Sequence, residues 1–363
     1  LKSGTFTKLF VRVQATPDTT ISPERCLELL GESMASKAHV MQVLKQNLGP
    51  LKDLFEDPAV TEVMVNPGGI VYAERAGEMI YIEDAGLAEV HITSAIRALA
   101  KSVDESVEAN TPKTFISASV ENLRIAGALS PASHGGPSLC IRKHQEEGAR
   151  PNLGELVEKG MLTNAQAELL EQLFVHEKKN VMVGGPTGSG KTTLANALCM
   201  RIPPYERVIS VEDSIELHPN LKHHVRYLTN ATKGVTAQLV VQHTLRARPD
   251  RLIVGETRGA ETFDLIRAFN SGHDGSLSTV HASSATDMLY AIEMLYQMSL
   301  PPDASLSPEA VRGYIARAVH VCVHVTRSVK QGEDGKYYYV RRVNEIVRVN
   351  GVENGKYLLE SLC

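Results

Sequence analysis

Gly185-Pro186-Thr187-Gly188-Ser189-Gly190-Lys191-Thr192 fills every fixed position of the pattern G-x-x-x-x-G-K-[ST], and the apolar run Val181-Met182-Val183 leads into it. Small residues let consecutive backbone N–H groups turn inward as an anion cradle, and a helix starting near Lys191 adds the positive end of its dipole. The stretch predicts a strand, a phosphate-binding turn and a helix, hence a chain that binds a nucleoside triphosphate. Residues 185–193, with Thr193 closing the set, form the expected nucleotide contact. Lys191 is expected to reach the β- and γ-phosphates as a solvent-accessible ligand, and Thr192 to ligate Mg²⁺.

Downstream, strand and helix patterns alternate: strands at Val208 to Val211, Val225 to Leu228, Leu252 to Val254 and Ser276 to Val280, helices at Lys191 to Met200, Ala237 to Ala247, Glu261 to Asn270 and Ala285 to Gln297. In the last of these Met288, Ile292 and Leu295 share one face. Alternation opened by a phosphate loop implies an α/β fold, a mostly parallel sheet with helices on both faces. The tail from Val319 to Leu359 reads as late strands joined by Gly turns. Upstream, short apolar segments between Leu51 and Ile141, broken by Asn66-Pro67-Gly68-Gly69, indicate a smaller α+β domain with helices at Pro23 to Leu48 and Thr93 to Ser102. The polar stretch Gln145 to Pro151 is the expected linker, so domains of residues 1–147 and 148–363 are expected.

A chain of 363 residues suits two domains, and 43 % hydrophobic with 22 % charged residues suits a soluble globular protein. No apolar run approaches the roughly 18 residues of a membrane span, and Leu1-Lys2-Ser3-Gly4 opens no secretory leader, so a cytoplasmic location with at most peripheral membrane contact is expected. The five cysteines form no C-x-x-C pair, which speaks against a zinc module or a disulfide framework. His218, His223, His224, His243 and His273 lack metal-ligand spacing on a helix and stay unassigned. The net charge of −4 leaves neither half with the positive excess of a nucleic-acid-binding domain.

Two apolar strands end in carboxylates where open α/β sheets bind ligands: Val208-Ile209-Ser210-Val211-Glu212-Asp213, with Glu216 beyond it, and Leu252-Ile253-Val254-Gly255-Glu256. Triphosphate hydrolysis needs a held Mg²⁺ and a carboxylate that orients water, which suits Glu212 and Glu256; Glu216 is expected to be solvated surface. A third strand ends in Thr279-Val280-His281-Ala282. Arg246, Arg248, Arg251 and Arg258 surround the second acidic strand, and Arg124 and Arg142 lie in the other domain. An arginine brought in by another domain or subunit stabilises the charge on a transferring phosphoryl group.

With these boxes in order, the sequence resembles the type II/type IV secretion ATPases, or traffic ATPases, and most of all their conjugal-transfer and type IV secretion branch. The resemblance rests on the phosphate loop, Val211 to Glu216, Leu245 to Gly259, Ala268 to Ser276 and Thr279 to Ala285, and spans roughly Asp53 to Val325. It implies a RecA-like ATPase domain behind the smaller N-terminal domain, assembled as a homo-hexamer. Such a motor hydrolyses ATP with Mg²⁺ to power pilus biogenesis or substrate translocation beside inner-membrane secretion components. Position by position it implies that Lys191 and Thr192 hold phosphate and metal, and that Glu212 and Glu256 share metal positioning and water activation. Either could be the base, with Glu256 slightly favoured. His281 would sense the γ-phosphate, and Arg124 and Arg142 would close onto phosphate. The base-reading Asn-Lys-x-Asp of a GTPase is absent, so adenine is expected. A RecA-like DNA translocase or helicase is the alternative, disfavoured by the charge balance; a nucleotide-gated scaffold with negligible turnover is a third reading.

Overall fold

The computed structural model describes residues 37–103, 105–120, 123–143, 150–230, 233–300, 306–333, 335 and 337–363. The expected boundary at 147/148 and the first part of the helix expected from Pro23 lie outside them; of that helix, α1 (Lys37–Asn47) is described.

Six antiparallel strands build the N-terminal part: β1 (Val60–Asn66), β2 (Ile70–Arg75), β3 (Glu78–Ile82), β4 (Phe115–Val120), β5 (Leu123–Ala128) and β6 (Ser138–Lys143). Their side chains alternate between faces. Val63, Ile125 and Ile141 point to the core under α1 and α3 (Glu89–Ser102), with the short α2 (Lys52–Glu56) beside β1. Ala76 and Gly77, both at positive φ, make the two-residue turn from β2 to β3. On the opposite face the register lines up Glu74 with Glu62, Glu62 with Arg142, and Arg142 with Arg124. Four charged side chains on four neighbouring strands thus form one transverse row.

The C-terminal part carries the parallel strands β7 (Val181–Gly184), β8 (Val208–Glu212), β9 (His224–Leu228), β10 (Arg251–Val254) and β11 (Leu277–Val280), with β12 (Val321–Gln331) parallel to β7. Strands covered on both faces are apolar throughout rather than alternating, as Val181-Met182-Val183 shows: Val181 and Val183 pack to one side, Met182 to the other. α4 (Leu153–Glu158), α5 (Asn164–Glu171) and α6 (Lys191–Cys199) cover the first side. The second is covered by α7 (Ala237–Thr244), α8 (Glu261–Phe269), α9 (Ala285–Met298) and α10 (Pro308–Ala318). β13 (Tyr337–Glu353) returns antiparallel to β12 and takes β14 (Lys356–Ser361) on its far part. Its first residues reach the N-terminal part, where Tyr338 pairs with Glu78 and Tyr339 N–H donates to Gly77 O at 3.1 Å. The fourteen strands among the described residues thereby join in one sheet, thirteen in the order β4-β5-β6-β1-β2-β3-β13-β12-β7-β11-β10-β8-β9 and β14 paired beside β13.

The expected strand-helix alternation matches this framework. α7 stops at Thr244, short of the expected Ala247, because Arg248 takes a positive φ of 54° ahead of Pro249. Of the four arginines around the second acidic strand, Arg251 is fully buried away from the phosphate loop. It heads β10 at 0 % exposure, pairs with Glu206 at 2.6 Å and donates to the carbonyls of Phe174 (2.6 Å), Val175 (3.0 Å) and Gly275 (3.2 Å). It stands at the opposite end of its strand from Glu256, as a buried tie.

Candidate active site

β7 is buried along its whole length and delivers the loop at its C-terminal end. Gly188 and Gly190 hold φ of 71° and 94°, values that L side chains adopt only with strain. Gly190 starts α6, whose first helical bond is Leu194 N–H to Gly190 O at 2.9 Å; no side chain among the described residues caps this helix. The N–H groups of Lys191, Thr192 and Thr193 therefore precede the ladder as donors for an anion. Ser189 adds a buried hydroxyl with no partner among the described residues. Lys191 is 8 % exposed rather than freely solvated. Its ammonium lies over the loop, donating to Gly185 O at 2.9 Å and Pro186 O at 3.1 Å. Burial holds its pKa below the usual lysine value, with Glu256 opposing and Arg142 and Arg258 adding to the shift.

From Lys191 a line of charged groups runs across three strand ends. Its Nζ is 3.4 Å from His281 Nδ1, and His281 Nε2 is 2.7 Å from Glu256 Oε1. Arg258 binds the other oxygen of Glu256 and sits 3.3 Å from Asp213. Asp213 in turn pairs with Arg124, which donates to Ser214 Oγ at 2.7 Å and lies 3.3 Å from Glu216. Strands β11, β10 and β8 end side by side, which is how residues distant in sequence become one site. Lys191, His281, Glu256 and Arg124 are thus linked through contacts, and the row on the N-terminal sheet meets the parallel strands at Arg124.

Glu212 is held differently. It is 4 % exposed and accepts from Ser210 Oγ (2.8 Å), Arg226 Nε (3.2 Å), and the N–H groups of Glu216 (2.9 Å) and Leu217 (2.8 Å). Burial raises its pKa against the pull of those donors. The loop after β8 is thereby folded back on Glu212, and this brings Glu216 under Arg124. Glu216 is therefore a half-buried ion-pair partner rather than the solvated acid expected.

Between the phosphate loop and the N-terminal sheet lies a cavity of about 660 Å³, lined by Gly188, Gly190 and Thr193 on one wall and by Glu62, Glu74 and Arg142 on the other. That volume falls in the range of small-molecule sites. Three further arginines line it that motif reading missed: Arg150, Arg327 and Arg341. Arg150 keeps Nε and Nη2 buried without partners among the described residues. Arg327 and Arg341 face each other across β12 and β13, and both reach Gly188. These strands lie outside any phosphate motif, so only their tertiary position marks them. Thr192, half-buried at the head of α6, is the hydroxyl available to a metal ion bound with phosphate oxygens.

Residues 45–355 match the family model of the type II/IV secretion system proteins. The chain belongs to that family. Among its relatives it is similar to the conjugal transfer protein TrbB of Rhizobium radiobacter, at 31 % identity over 336 residues, covering 90 % of this chain and 95 % of that one. It is also similar to the type IV secretion system protein VirB11 of Brucella abortus biovar 1, at 33 % identity over 317 residues, with 79 % and 86 % covered. The fold is that of the Yersinia pseudotuberculosis ATPase DotB (TM-score 0.56, 15 % identity, 86 % of this secretion-family chain and 80 % of that one). In fold it is also similar to the pilus retraction motor PilT (TM-score 0.51, 18 % identity, 82 % of each chain). No helix among the described residues is long and apolar enough to cross a membrane.

Proposed function

We propose that this chain is the ATP-hydrolysing motor of a type IV secretion or conjugal transfer system, a two-domain subunit divided near residue 147 that works as a homo-hexamer. The observation that carries the reading is the meeting of Lys191, His281 and Glu256 beside a capless helix N-terminus. The relatives named for conjugal transfer and type IV secretion support the machinery served.

In this reading the N–H groups of residues 189–193 and the Lys191 ammonium bind the β- and γ-phosphates, and a lysine that burial makes costly to charge gains most when a polyanion arrives. Thr192 would hold Mg²⁺ together with phosphate oxygens and water; when bound, the ion neutralises charge developing on the transferred group. Glu256, the more accessible carboxylate, orients the attacking water, with His281 between it and the γ-phosphate. Glu212 steadies residues 213–217 and with them the Arg124 contacts. Arg142, in the middle of the charged row, faces the cavity without an ion pair of its own among the described residues and serves the transition state. Hydrolysis then changes what holds the two walls together, which is how a phosphate event becomes movement. The subunit works at the cytoplasmic side of the inner membrane as a peripheral component, with secretion-system proteins as partners and no sequence-specific nucleic acid contact.

Steady-state phosphate release with and without Mg²⁺, alongside light scattering, tests this reading. Turnover that requires Mg²⁺ in a particle of six chains is expected; an active monomer removes the ring, and binding without turnover leaves only a nucleotide-gated scaffold. Glu256→Gln and Glu212→Gln, compared at equal nucleotide affinity, identify the base.

A further inference from the structure

Two arginines on the β12–β13 hairpin converge on a single residue of the phosphate loop. Arg341 Nε donates to Gly188 O at 2.7 Å, while its Nη2 is 2.9 Å from Glu74 Oε1 on β2. Glu74 is itself 7 % exposed and stands at one end of the charged row. Arg327, the cross-strand neighbour of Arg341, stacks on Tyr339 with 4.4 Å to the ring centroid and lies against the side-chain-free face of Gly188.

We propose that Arg341 is a positioning residue: it orients the Gly188–Ser189 peptide of the phosphate nest and makes that orientation depend on where Glu74, and so the N-terminal sheet, stands. The inference rests on the nucleotide-binding reading above. A trans peptide directs its C=O and the following N–H to opposite sides. Holding the Gly188 carbonyl toward Arg341 therefore turns the Ser189 N–H into the loop, where its acceptor is Pro186 O at a long 3.3 Å, a bond easily exchanged for a phosphate oxygen. Gly188, at φ 71°, has the freedom to let this peptide rotate when nothing holds it. The guanidinium is planar and spends two edges on two different walls of the cavity, so a shift of Glu74 turns the donor that faces Gly188. A lysine offers no such rigid fork.

The test uses the full chain and four variants, Arg341→Met, Arg341→Lys, Glu74→Gln and the Arg341→Met/Glu74→Gln double variant. AMP and ADP affinities are measured by calorimetry and folding by melting temperature. ADP places a β-phosphate in the nest and AMP does not. Arg341→Met is expected to weaken ADP about tenfold, the scale of one charge-assisted hydrogen bond, while AMP affinity stays within about twofold; Glu74→Gln is expected to move the ADP-to-AMP ratio the same way by less. The double variant should match Arg341→Met alone, because the carboxylate acts through the guanidinium. If Arg341→Met folds poorly, Arg341→Lys carries the test, with a lowered ratio expected. A wild-type ratio in a folded Arg341 variant, or losses that multiply in the double variant, overturns the proposal. A wild-type chain that binds neither nucleotide overturns the reading beneath it instead.

Discussion

Replacing Arg251 by methionine probes the tie beneath the parallel sheet. The substitution keeps an unbranched apolar stem but leaves the Glu206 carboxylate, 2 % exposed, and the carbonyls of Phe174, Val175 and Gly275 without their common donor. Breaking a buried ion pair by removing one partner costs about 3–5 kcal/mol. Glu206 keeps Lys178 at 3.1 Å, whose side chain is nearly half exposed, so the lower end, about 3 kcal/mol, applies. For a domain of this size each kcal/mol lowers Tm by roughly 2–4 °C, giving a fall of about 6–12 °C. Thermal unfolding followed by circular dichroism reads this, with nucleotide affinity measured well below the transition. Arg251 is remote from the phosphate loop's carboxylates, so affinity is expected to stay within about twofold of wild type. A Tm change under about 2 °C would refute the argument that this guanidinium organises the π-helical turn at Gln172–His176 and the start of β10.

Lys191→Ala is expected to abolish phosphate release with Tm unchanged or slightly raised, because it removes a buried cation whose charge is already disfavoured; retained turnover would remove the phosphate-loop argument. Arg142→Ala is expected to lower kcat by at least about tenfold with little change in nucleotide affinity, as befits a group used in the transition state; equal losses in both would make it a ground-state ligand. His224 is half-buried beside Arg226 and His218, and burial takes its pKa from 6.5 to about 4. It stays neutral in the fold where the unfolded chain binds a proton, so its stabilising share is complete above pH 6.5 and is lost as pH falls toward 4. Melting curves between pH 7.5 and 4.5 should therefore fall less steeply for His224→Gln than for wild type; parallel curves would exclude His224 as a contributor.

The parallel sheet was legible because its rules are local: a phosphate loop, apolar strand runs and carboxylates at strand ends all follow from residues close in sequence. Glu256 and His281 were readable for the same reason, since strand ends in an open α/β sheet are gathered by topology. Arg124 and Arg142 came from the family resemblance, because nothing in Leu123-Arg124-Ile125 says which face meets a phosphate. Glu216 was misread as solvated, since its burial depends on the fold-back of residues 213–217 onto Glu212. Arg150, Arg327 and Arg341 carried no signal at all: the cavity they line is made by contact between segments well over 100 residues apart. α4, α5 and α10 were also not anticipated, being short or lying between stronger patterns.

The join at Tyr338 and Glu78 is a short ladder between the N-terminal strands and the C-terminal part. Among the described residues β2–β3 and β12–β13 are laced by long ladders, whereas β3 and β13 pair at Tyr338 and Glu78, with side-chain ties from Arg341 to Glu74 and from Arg124 to Asp213 beside them. Neighbouring strands differ by roughly 20–25° of right-handed twist, and a short ladder resists a change of that angle less than a long one does. In the motor proposed above, this short ladder is the stretch of backbone pairing about which the two parts would turn.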